Sequence, residues 1–243
     1  MAEDILKGKK WAVCGDSFTN GDFKEALDQD IMITEGRYAG QKKTYGFLIG
    51  NRCDMELQHL AVGGMTMAAP ADGSFSNCFS LDTYQQIDKD VDYITLYFGI
   101  NDSHHRDKST GTDGEDMTGI IELGTIEDES IHTFGGAWNV VLRYLVTNYP
   151  FAHIGIIVSN GCETPDYYQM EIALAKKWGI PYINLNGDER TPAMLRTQNP
   201  DICDEAKEIL INAQAVHPGI NHHPNVAAHE FESVLIENWL RTI

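Results

Sequence analysis

Short apolar segments alternate along this chain with segments that have the periodicity of amphipathic helices. Residues 91–98 are rich in β-branched and aromatic side chains, and residues 153–159 are apolar at most positions. Between them, apolar side chains recur at helical spacing at Phe134, Ala137, Trp138, Val141 and Leu145. Strands that are apolar on both faces are typical of a parallel sheet covered by helices on both sides. The sequence therefore predicts an α/β fold, with a central parallel sheet in a three-layer α/β/α sandwich.

The remaining elements follow from the same patterns. We expect strands at residues 11–14, 55–62 and 181–185, a helix ending near residue 51, and helices at 81–89, 165–178, 204–216 and 224–240. The last helix is expected to bury Ala227, Phe231, Val234, Leu235 and Trp239. Residues 103–129 are polar and acidic and too long for a simple connection, so they are expected to form an insertion. Without repeats or a linker, residues 1–243 are expected to form one domain.

Composition excludes several classes of partner. The formal net charge of −18 repels phosphate backbones and anionic lipids, so neither a nucleic-acid partner nor a membrane-surface role is expected. No apolar run approaches the ~20 residues of a membrane span. The first ten residues lack the apolar stretch of about 7–15 residues of a signal peptide. The chain as given is therefore expected to be cytoplasmic, or secreted if a leader has been removed, and its oligomeric state is left open.

Cysteine spacing and glycine spacing argue against bound metals and nucleotides. The chain has five cysteines, and none of them forms a Cys-x-x-Cys pair, so neither a disulfide framework nor a zinc site is expected. No Gly-x-Gly-x-x-Gly motif follows the first strand, which argues against a dinucleotide. The sequence therefore predicts neither a metal nor a cofactor.

Glycine-containing turns follow three of the predicted strands. They are Gly15-Asp16-Ser17, Gly63-Gly64 and Gly99-Ile100-Asn101-Asp102. The carboxyl ends of parallel strands meet at one edge of a sheet, and open α/β sheets bind their ligands at that edge. We therefore expect Ser17, the two glycines and Asn101 to lie close together.

A histidine late in the chain supplies the group that this serine needs. His223 stands just before Pro224, in a loop that can be aimed at the same edge. A serine hydroxyl is a weak nucleophile without an adjacent base, and a histidine near neutrality can act as base and then as acid. The oxyanion of a tetrahedral intermediate needs donors, which the Ser17 N–H, the Gly64 N–H and the Asn101 amide can supply. The pattern predicts acyl transfer.

Four segments, in this order, resemble the blocks of the SGNH hydrolase superfamily of GDSL-like esterases and lipases. They are Gly15-Asp16-Ser17-Phe18, Ala61-Val62-Gly63-Gly64-Met65-Thr66, Gly99-Ile100-Asn101-Asp102 and His223-Pro224-Asn225. The resemblance implies a flavodoxin-like sandwich and ester hydrolysis through an acyl-enzyme on Ser17, without a cofactor. It also implies that Gly64 and Asn101 bind the oxyanion and that His223 is the general base.

One position departs from the family pattern. The family usually has an aspartate three residues before the catalytic histidine, and Ile220 stands there in this chain. Asn221 is one residue out of register, and an amide cannot stabilise an imidazolium as a carboxylate can. A backbone carbonyl, a displaced side chain or a distant carboxylate are the alternatives, or the site is impaired. We favour a Ser–His dyad with a backbone or displaced partner. His217 is a second candidate base.

Three functions remain open at this point. We expect a serine-dependent esterase whose partner is a small-molecule or carbohydrate ester, with small polar esters such as O-acetylated carbohydrate preferred. A lipase or thioesterase of the same superfamily is the first alternative. A non-catalytic carbohydrate-binding pseudoenzyme is the second, and Ile220 favours it, whereas the intact Ser17 and His223 oppose it.

The side chains beside the motifs have simpler expected roles. Asp16 is expected to stabilise its own turn, and Asp102 to cap the segment that follows it. His104 and His105 follow the third block, where they either line the pocket or are solvated.

Overall fold

Five parallel strands form the central sheet. A computed structural model describes residues 4–21, 43–107, 119–219 and 221–243. The strands are β1 (Lys10–Gly15), β2 (Glu56–Ala61), β3 (Tyr93–Tyr97), β4 (His153–Val158) and β5 (Tyr182–Asn184). Their order is β2-β1-β3-β4-β5, and every neighbouring pair is parallel. The parallel sheet predicted from the sequence is confirmed.

Helices cover both faces of this sheet. They are α1 (Ser17–Asn20), α2 (Tyr45–Cys53), α3 (Ile100–His104), α4 (Phe134–Asn148), α5 (Pro165–Trp178), α6 (Asp204–Gln214) and α7 (Val226–Leu240). Successive strand side chains point to opposite faces, so β1 contributes to two separate cores. Ala12 and Cys14 pack with α4 and α5, whereas Trp11 and Val13 pack with α2 and α7. The arrangement is the predicted three-layer sandwich.

A short antiparallel hairpin carries the chain from α6 to α7. Its strands are β6 (Ala215–His217) and β7 (Asn221–Pro224). The helix predicted over 204–216 therefore ends at Gln214, and the histidine segment lies in a strand rather than in a loop. Helical periodicity in α6 runs directly into β6 without a glycine or proline, so the sequence contains no stop signal there.

The last helix begins later than predicted. Pro224 is the final residue of β7, and α7 begins at Val226. Asn225 is its N-cap, because its side chain accepts a hydrogen bond from the Ala228 N–H at 2.9 Å. A proline is favoured in the first turn of a helix, so the sequence predicts a start at Pro224, but the residue that caps the helix is Asn225.

The buried face of α7 also differs from the prediction. Phe231 and Val234 are 47% and 51% exposed, whereas His229 and Glu232 are fully buried. His229 Nδ1 lies 2.5 Å from Glu232 Oε1, and the His229 ring stacks on Tyr45 of α2. Each polar side chain therefore has a partner that offsets its burial. The apolar pattern alone could not reveal a helix face stabilised by such a pair.

Smaller differences concern segments between the strands. The helix assigned to end near residue 51 begins at Tyr45 and extends to Cys53, and residues 81–89 contain only a 3₁₀ turn, Thr83–Gln86. Of the insertion predicted at 103–129, residues 108–118 lie outside the described residues. Its later part packs onto the fold, since Ile121 is fully buried and its N–H donates to the His105 carbonyl at 2.9 Å. No helix in the described ranges is long and apolar enough to cross a membrane.

Gly15 permits the tight turn between β1 and α1. A Cβ at this position would lie 2.9 Å from the Tyr97 carbonyl oxygen and would overlap the side chain of Thr19. Backbone and a buried helix side chain cannot move aside easily, so only glycine fits at the end of β1.

We expect Gly15→Ala to lower the free energy of unfolding by about 1–3 kcal/mol, the usual cost of overpacking a well-packed core. Urea denaturation followed by tryptophan fluorescence measures it. Gly63→Ala is the matched control, because a Cβ there meets only ordinary van der Waals contact, 3.9 Å from the Ser17 Cβ. Equal stability of the two variants would contradict the role assigned to Gly15.

Candidate active site

Ser17 lies at the carboxyl end of β1, as the first residue of α1. Asp16 caps this short helix, because its Oδ1 accepts a hydrogen bond from the Phe18 N–H at 2.9 Å. The turn that Asp16 was expected to stabilise is therefore held by its side chain. Ser17 is largely buried, and the chain leaves α1 at Gly21 in a left-handed conformation. The serine hydroxyl is thus held in one place at the sheet edge.

His223 lies beside Ser17, although 206 positions separate the two residues in the sequence. Its Nε2 lies 2.7 Å from Ser17 Oγ, within hydrogen-bonding distance. The ring also packs on Phe18, with the two centroids 5.3 Å apart. The second candidate base, His217, lies in β6 with Nδ1 3.3 Å from the Pro218 carbonyl oxygen. The histidine that lies beside Ser17 is therefore His223.

Asn221 holds the other side of the His223 ring. Its Oδ1 lies 2.6 Å from His223 Nδ1 and also accepts the His223 backbone N–H at 3.0 Å. An amide oxygen is an acceptor only, so Nδ1 carries the proton in this contact and Nε2 presents its lone pair to the serine. Ile220, at the position of the family aspartate, lies outside the described residues. The partner of His223 is a displaced side chain, one of the alternatives that the sequence left open.

The signal for Asn221 was present in the sequence but depended on a strand that the sequence did not reveal. Side chains two residues apart lie on the same face of a β-strand. Because β7 spans residues 221–224, the side chain two positions before His223 is the one beside it. A spacing of three would suit a loop or a helical turn.

The second glycine turn packs against the serine. A Cβ on Gly63 would lie 3.9 Å from the Ser17 Cβ, and Gly64 adopts φ +75°, which favours glycine. The Asn77 Nδ2 donates to the Gly63 carbonyl at 3.1 Å, and this hydrogen bond stabilises the turn. The sequence did not single out Asn77, which no motif contains.

Asn101 reaches the same turn from the third block. It lies in the first turn of α3, and its Nδ2 donates to the Met65 carbonyl at 2.9 Å. An amide group has two N–H bonds, and the Met65 carbonyl engages one of them. Ser17, Gly64 and Asn101 thus come from the ends of three neighbouring strands, as the sequence predicted for their elements.

Asp102 does not cap the segment that follows it. Its carboxyl oxygens accept the Met67 and Ala68 N–H groups, both at 2.9 Å, so it connects α3 to the segment that follows the second glycine turn. The side chain is fully buried, and burial raises its pKa to about 7. His104 and His105 are half-buried; the His105 ring packs on Phe75 with centroids 4.8 Å apart.

Solved structures share this architecture over nearly the whole chain. A protein from Lactobacillus plantarum matches with a TM-score of 0.64 and 18% identity, covering 98% of both chains. A protein described as a GDSL-like lipase from Bacteroides ovatus matches with a TM-score of 0.58 and 16% identity, covering 98% of this chain and 100% of that one. A family two carbohydrate esterase from Clostridium thermocellum, in complex with cellohexaose, matches with a TM-score of 0.58 and 14% identity, covering 100% of this chain and 66% of that one.

These likenesses concern the fold, since all three identities are below one in five. No protein-family model matches the sequence, and no curated protein matches it either. These likenesses therefore assign no role to any side chain of this protein.

Asp16 makes the stability of the turn depend on pH. It is fully buried, and burial raises its pKa to about 8. The unfolded chain releases the same proton near pH 4. The stabilising contribution of the protonated carboxyl is therefore complete below about pH 4 and is lost as the pH rises to about 8.

We expect Asp16→Asn, which keeps the cap and cannot ionise, to gain stability relative to the wild type between pH 5 and pH 8, by at least about 1 kcal/mol. Urea denaturation at both pH values measures the difference. The exposed Asp82→Asn is the control and is expected to show no such gain. A stability difference for Asp16→Asn that is constant with pH would contradict burial of a proton at this carboxyl.

Proposed function

We propose that this chain, which has the fold of the SGNH hydrolases, is a serine-dependent ester hydrolase with Ser17 as its nucleophile. The observation that carries the proposal is the 2.7 Å distance between Ser17 Oγ and His223 Nε2. A hydroxyl becomes a useful nucleophile when an oriented base stands within hydrogen-bonding reach. Here the base is itself held by Asn221, so nucleophile, base and orienting group follow one another in a line.

In the proposed reaction Ser17 is the nucleophile, and His223 acts in turn as base and as acid. Ser17 Oγ attacks the ester carbonyl carbon while its proton passes to His223 Nε2. His223 then gives that proton to the departing alcohol oxygen as the bond between carbonyl carbon and alcohol oxygen breaks. The acyl group stays on Ser17. A water molecule, deprotonated by His223, attacks the acyl-enzyme, and the carboxylic acid leaves as Ser17 regains its proton.

The tetrahedral intermediates need donors for their oxyanion. We assign this role to the Ser17 N–H, the Gly64 N–H and the Asn101 Nδ2–H. Three features support the assignment: α1 begins at Ser17, so that its first N–H groups have no partner within the helix, Gly64 lies in the turn against Ser17, and the Asn101 amide has a second N–H. Preorganised donors of this kind typically contribute about 10²–10³ in rate each.

The substrate class that we propose is a small polar ester, with an O-acetylated carbohydrate as the preferred case. Among the described residues, Asn77 and Asn101 place polar amide groups on the turns beside Ser17, and His104 follows Asn101 on α3. A long acyl chain would take these polar groups out of water, at a cost in binding free energy. The structural likeness to a carbohydrate esterase is consistent with this preference.

A fluorophosphonate probe tests the nucleophile directly. We expect intact-mass analysis to detect one adduct on the wild type, because activated Ser17 Oγ displaces fluoride from phosphorus. The adduct is expected to disappear in Ser17→Ala and to form at least about 10²-fold more slowly in His223→Ala. His217→Ala is the matched control and is expected to label at the wild-type rate. A folded wild-type protein that does not label would instead favour the non-catalytic binding protein.

Asn221 allows a second test, because an amide and a carboxylate orient a histidine differently. We expect Asn221→Ala to lower kcat for p-nitrophenyl acetate by about 10²–10⁴-fold, since a wrongly oriented or wrongly protonated ring loses general acid–base catalysis. Asn221→Asp restores an acceptor and adds a negative charge that stabilises the imidazolium. Its acidic limb of the pH–rate profile is therefore expected to move to higher pH while activity is retained. Wild-type kinetics in Asn221→Ala would exclude an orienting role.

A further inference from the structure

Four polar side chains gather beside the candidate active site, each from a different loop or element. They are His104 at the end of α3, Glu163 after β4, Arg196 after β5 and His222 in β7. Glu163 lies at the centre, because its Oε1 is 3.0 Å from Arg196 Nη2 and 3.7 Å from His104 Nδ1. We call these four residues the Glu163 cluster.

Hydrogen bonds to the end of α3 fix the position of the Glu163 backbone. Its N–H donates to Ser103 Oγ at 2.8 Å, and Ser103 Oγ in turn donates to the Ile100 carbonyl at 2.8 Å. The hydrogen bond from His104 and the charge of Arg196 hold the pKa of Glu163 at about 2, despite partial burial. Glu163 is therefore an ionised acceptor over the whole physiological range.

The cluster is continuous with the reactive groups. His104 follows Asn101 by three residues, so the two side chains lie on the same face of α3. Burial and Arg196 both lower the pKa of His222, the member of the cluster that lies on the face of β7 opposite to His223. A substrate whose carbonyl lies between Ser17 and Asn101 therefore has the Glu163 cluster as its next neighbour along the sheet edge.

The cluster is open enough to bind a ligand. The side chains of Arg196, Glu163 and His104 are 26%, 28% and 37% exposed. An ion pair at this exposure contributes little to folding stability, typically 0–1 kcal/mol. Its donors and acceptors are nevertheless accessible to solvent.

We propose that the Glu163 cluster is the subsite that binds the hydroxyl groups of the saccharide part of an ester substrate, an inference that rests on the proposed function. A guanidinium only donates and a carboxylate only accepts, whereas a sugar hydroxyl does both. Neighbouring hydroxyls of one ring are thus suited to Arg196 and Glu163 together. Charge-assisted bonds of this kind are about twice as strong as neutral ones.

Two other ligand chemistries fit the cluster less well. A carboxylate or phosphate on the substrate would meet Arg196 but would be repelled by Glu163 and by the net charge of −18. An apolar acyl chain would take the charges of the pair out of water without replacing their hydrogen bonds. A neutral polyhydroxylated ring satisfies both members of the pair.

The test compares two esters of the same acid, glucose monoacetate and p-nitrophenyl acetate. We expect Arg196→Met to lower the ratio of their kcat/KM values, sugar ester over nitrophenyl ester, by at least about tenfold, because only the sugar ester loses a charge-assisted bond. Arg190→Met is the matched control, since Arg190 is an exposed arginine in the same loop after β5. It is expected to leave the ratio unchanged. A general effect on folding lowers both activities and leaves the ratio constant, which would overturn the subsite.

Glu163→Gln provides a readout that a structural role would not move. The variant removes the negative charge and leaves the Arg196 cation without its counter-ion, so an acidic sugar is no longer repelled. We expect the preference for monoacetylated glucuronic acid over monoacetylated glucose to rise at least about tenfold. An unchanged preference would overturn the proposal. A wild type that forms no fluorophosphonate adduct would overturn the proposed function itself, whereas labelling with constant ratios would overturn the subsite alone.

Discussion

Strand β1 lies between β2 and β3, and the parallel register of these three strands determines where the functional groups can be. Gly15 at the end of β1 is paired with Ala61 at the end of β2 and with Tyr97 at the end of β3. The three strands therefore stop at the same level, and the turns that follow them leave the sheet side by side. Ser17, Gly64 and Asn101 are each only two to four residues beyond these ends, too few for them to move apart. A shift of one register position would separate the serine from both turns.

Buried carboxyl groups hold the loops at this edge. Asp16 accepts the Phe18 N–H, Asp102 accepts the Met67 and Ala68 N–H groups after the second glycine turn, and Glu171 accepts the Ser159 N–H at 2.9 Å after β4. All three side chains are fully buried, and burial raises the pKa of each of them. A carboxyl group is an unfavourable residue for a core, but its oxygens satisfy N–H groups that irregular loops leave without a partner. The rigid edge is thus obtained at some cost in stability, which grows with pH.

Strands and turns were accessible from the sequence because their signals are local. Apolar runs such as residues 91–98 and glycine turns such as Gly63-Gly64 specify backbone states without reference to the rest of the chain. The buried face of α7 was not accessible, because His229 is tolerated inside only where Glu232 and Tyr45 meet it. Such a contact forms only in the folded protein, so it produces no periodic pattern in the sequence. The same holds for the link between Glu163 and Arg196, which 33 residues separate.

Asn221 is neutral, so it differs in charge from the aspartate that usually stands beside a histidine in this position. In the proposed reaction, an aspartate would orient the histidine and also stabilise the imidazolium that forms when Ser17 loses its proton. Asn221 orients the ring with the dipole of its carbonyl oxygen, and papain-like proteases show that an amide in this place suffices for a histidine-assisted nucleophile. The Phe18 ring packs on His223 and presents a π-system to the developing cation, a contact that strengthens as the charge appears. The excess of carboxylates gives the chain its net charge of −18. The long-range field of this negative charge also favours a cationic His223 ring, though more weakly. Under the proposed function, an orienting amide, an aromatic neighbour and the net negative charge together therefore supply what one buried aspartate usually supplies.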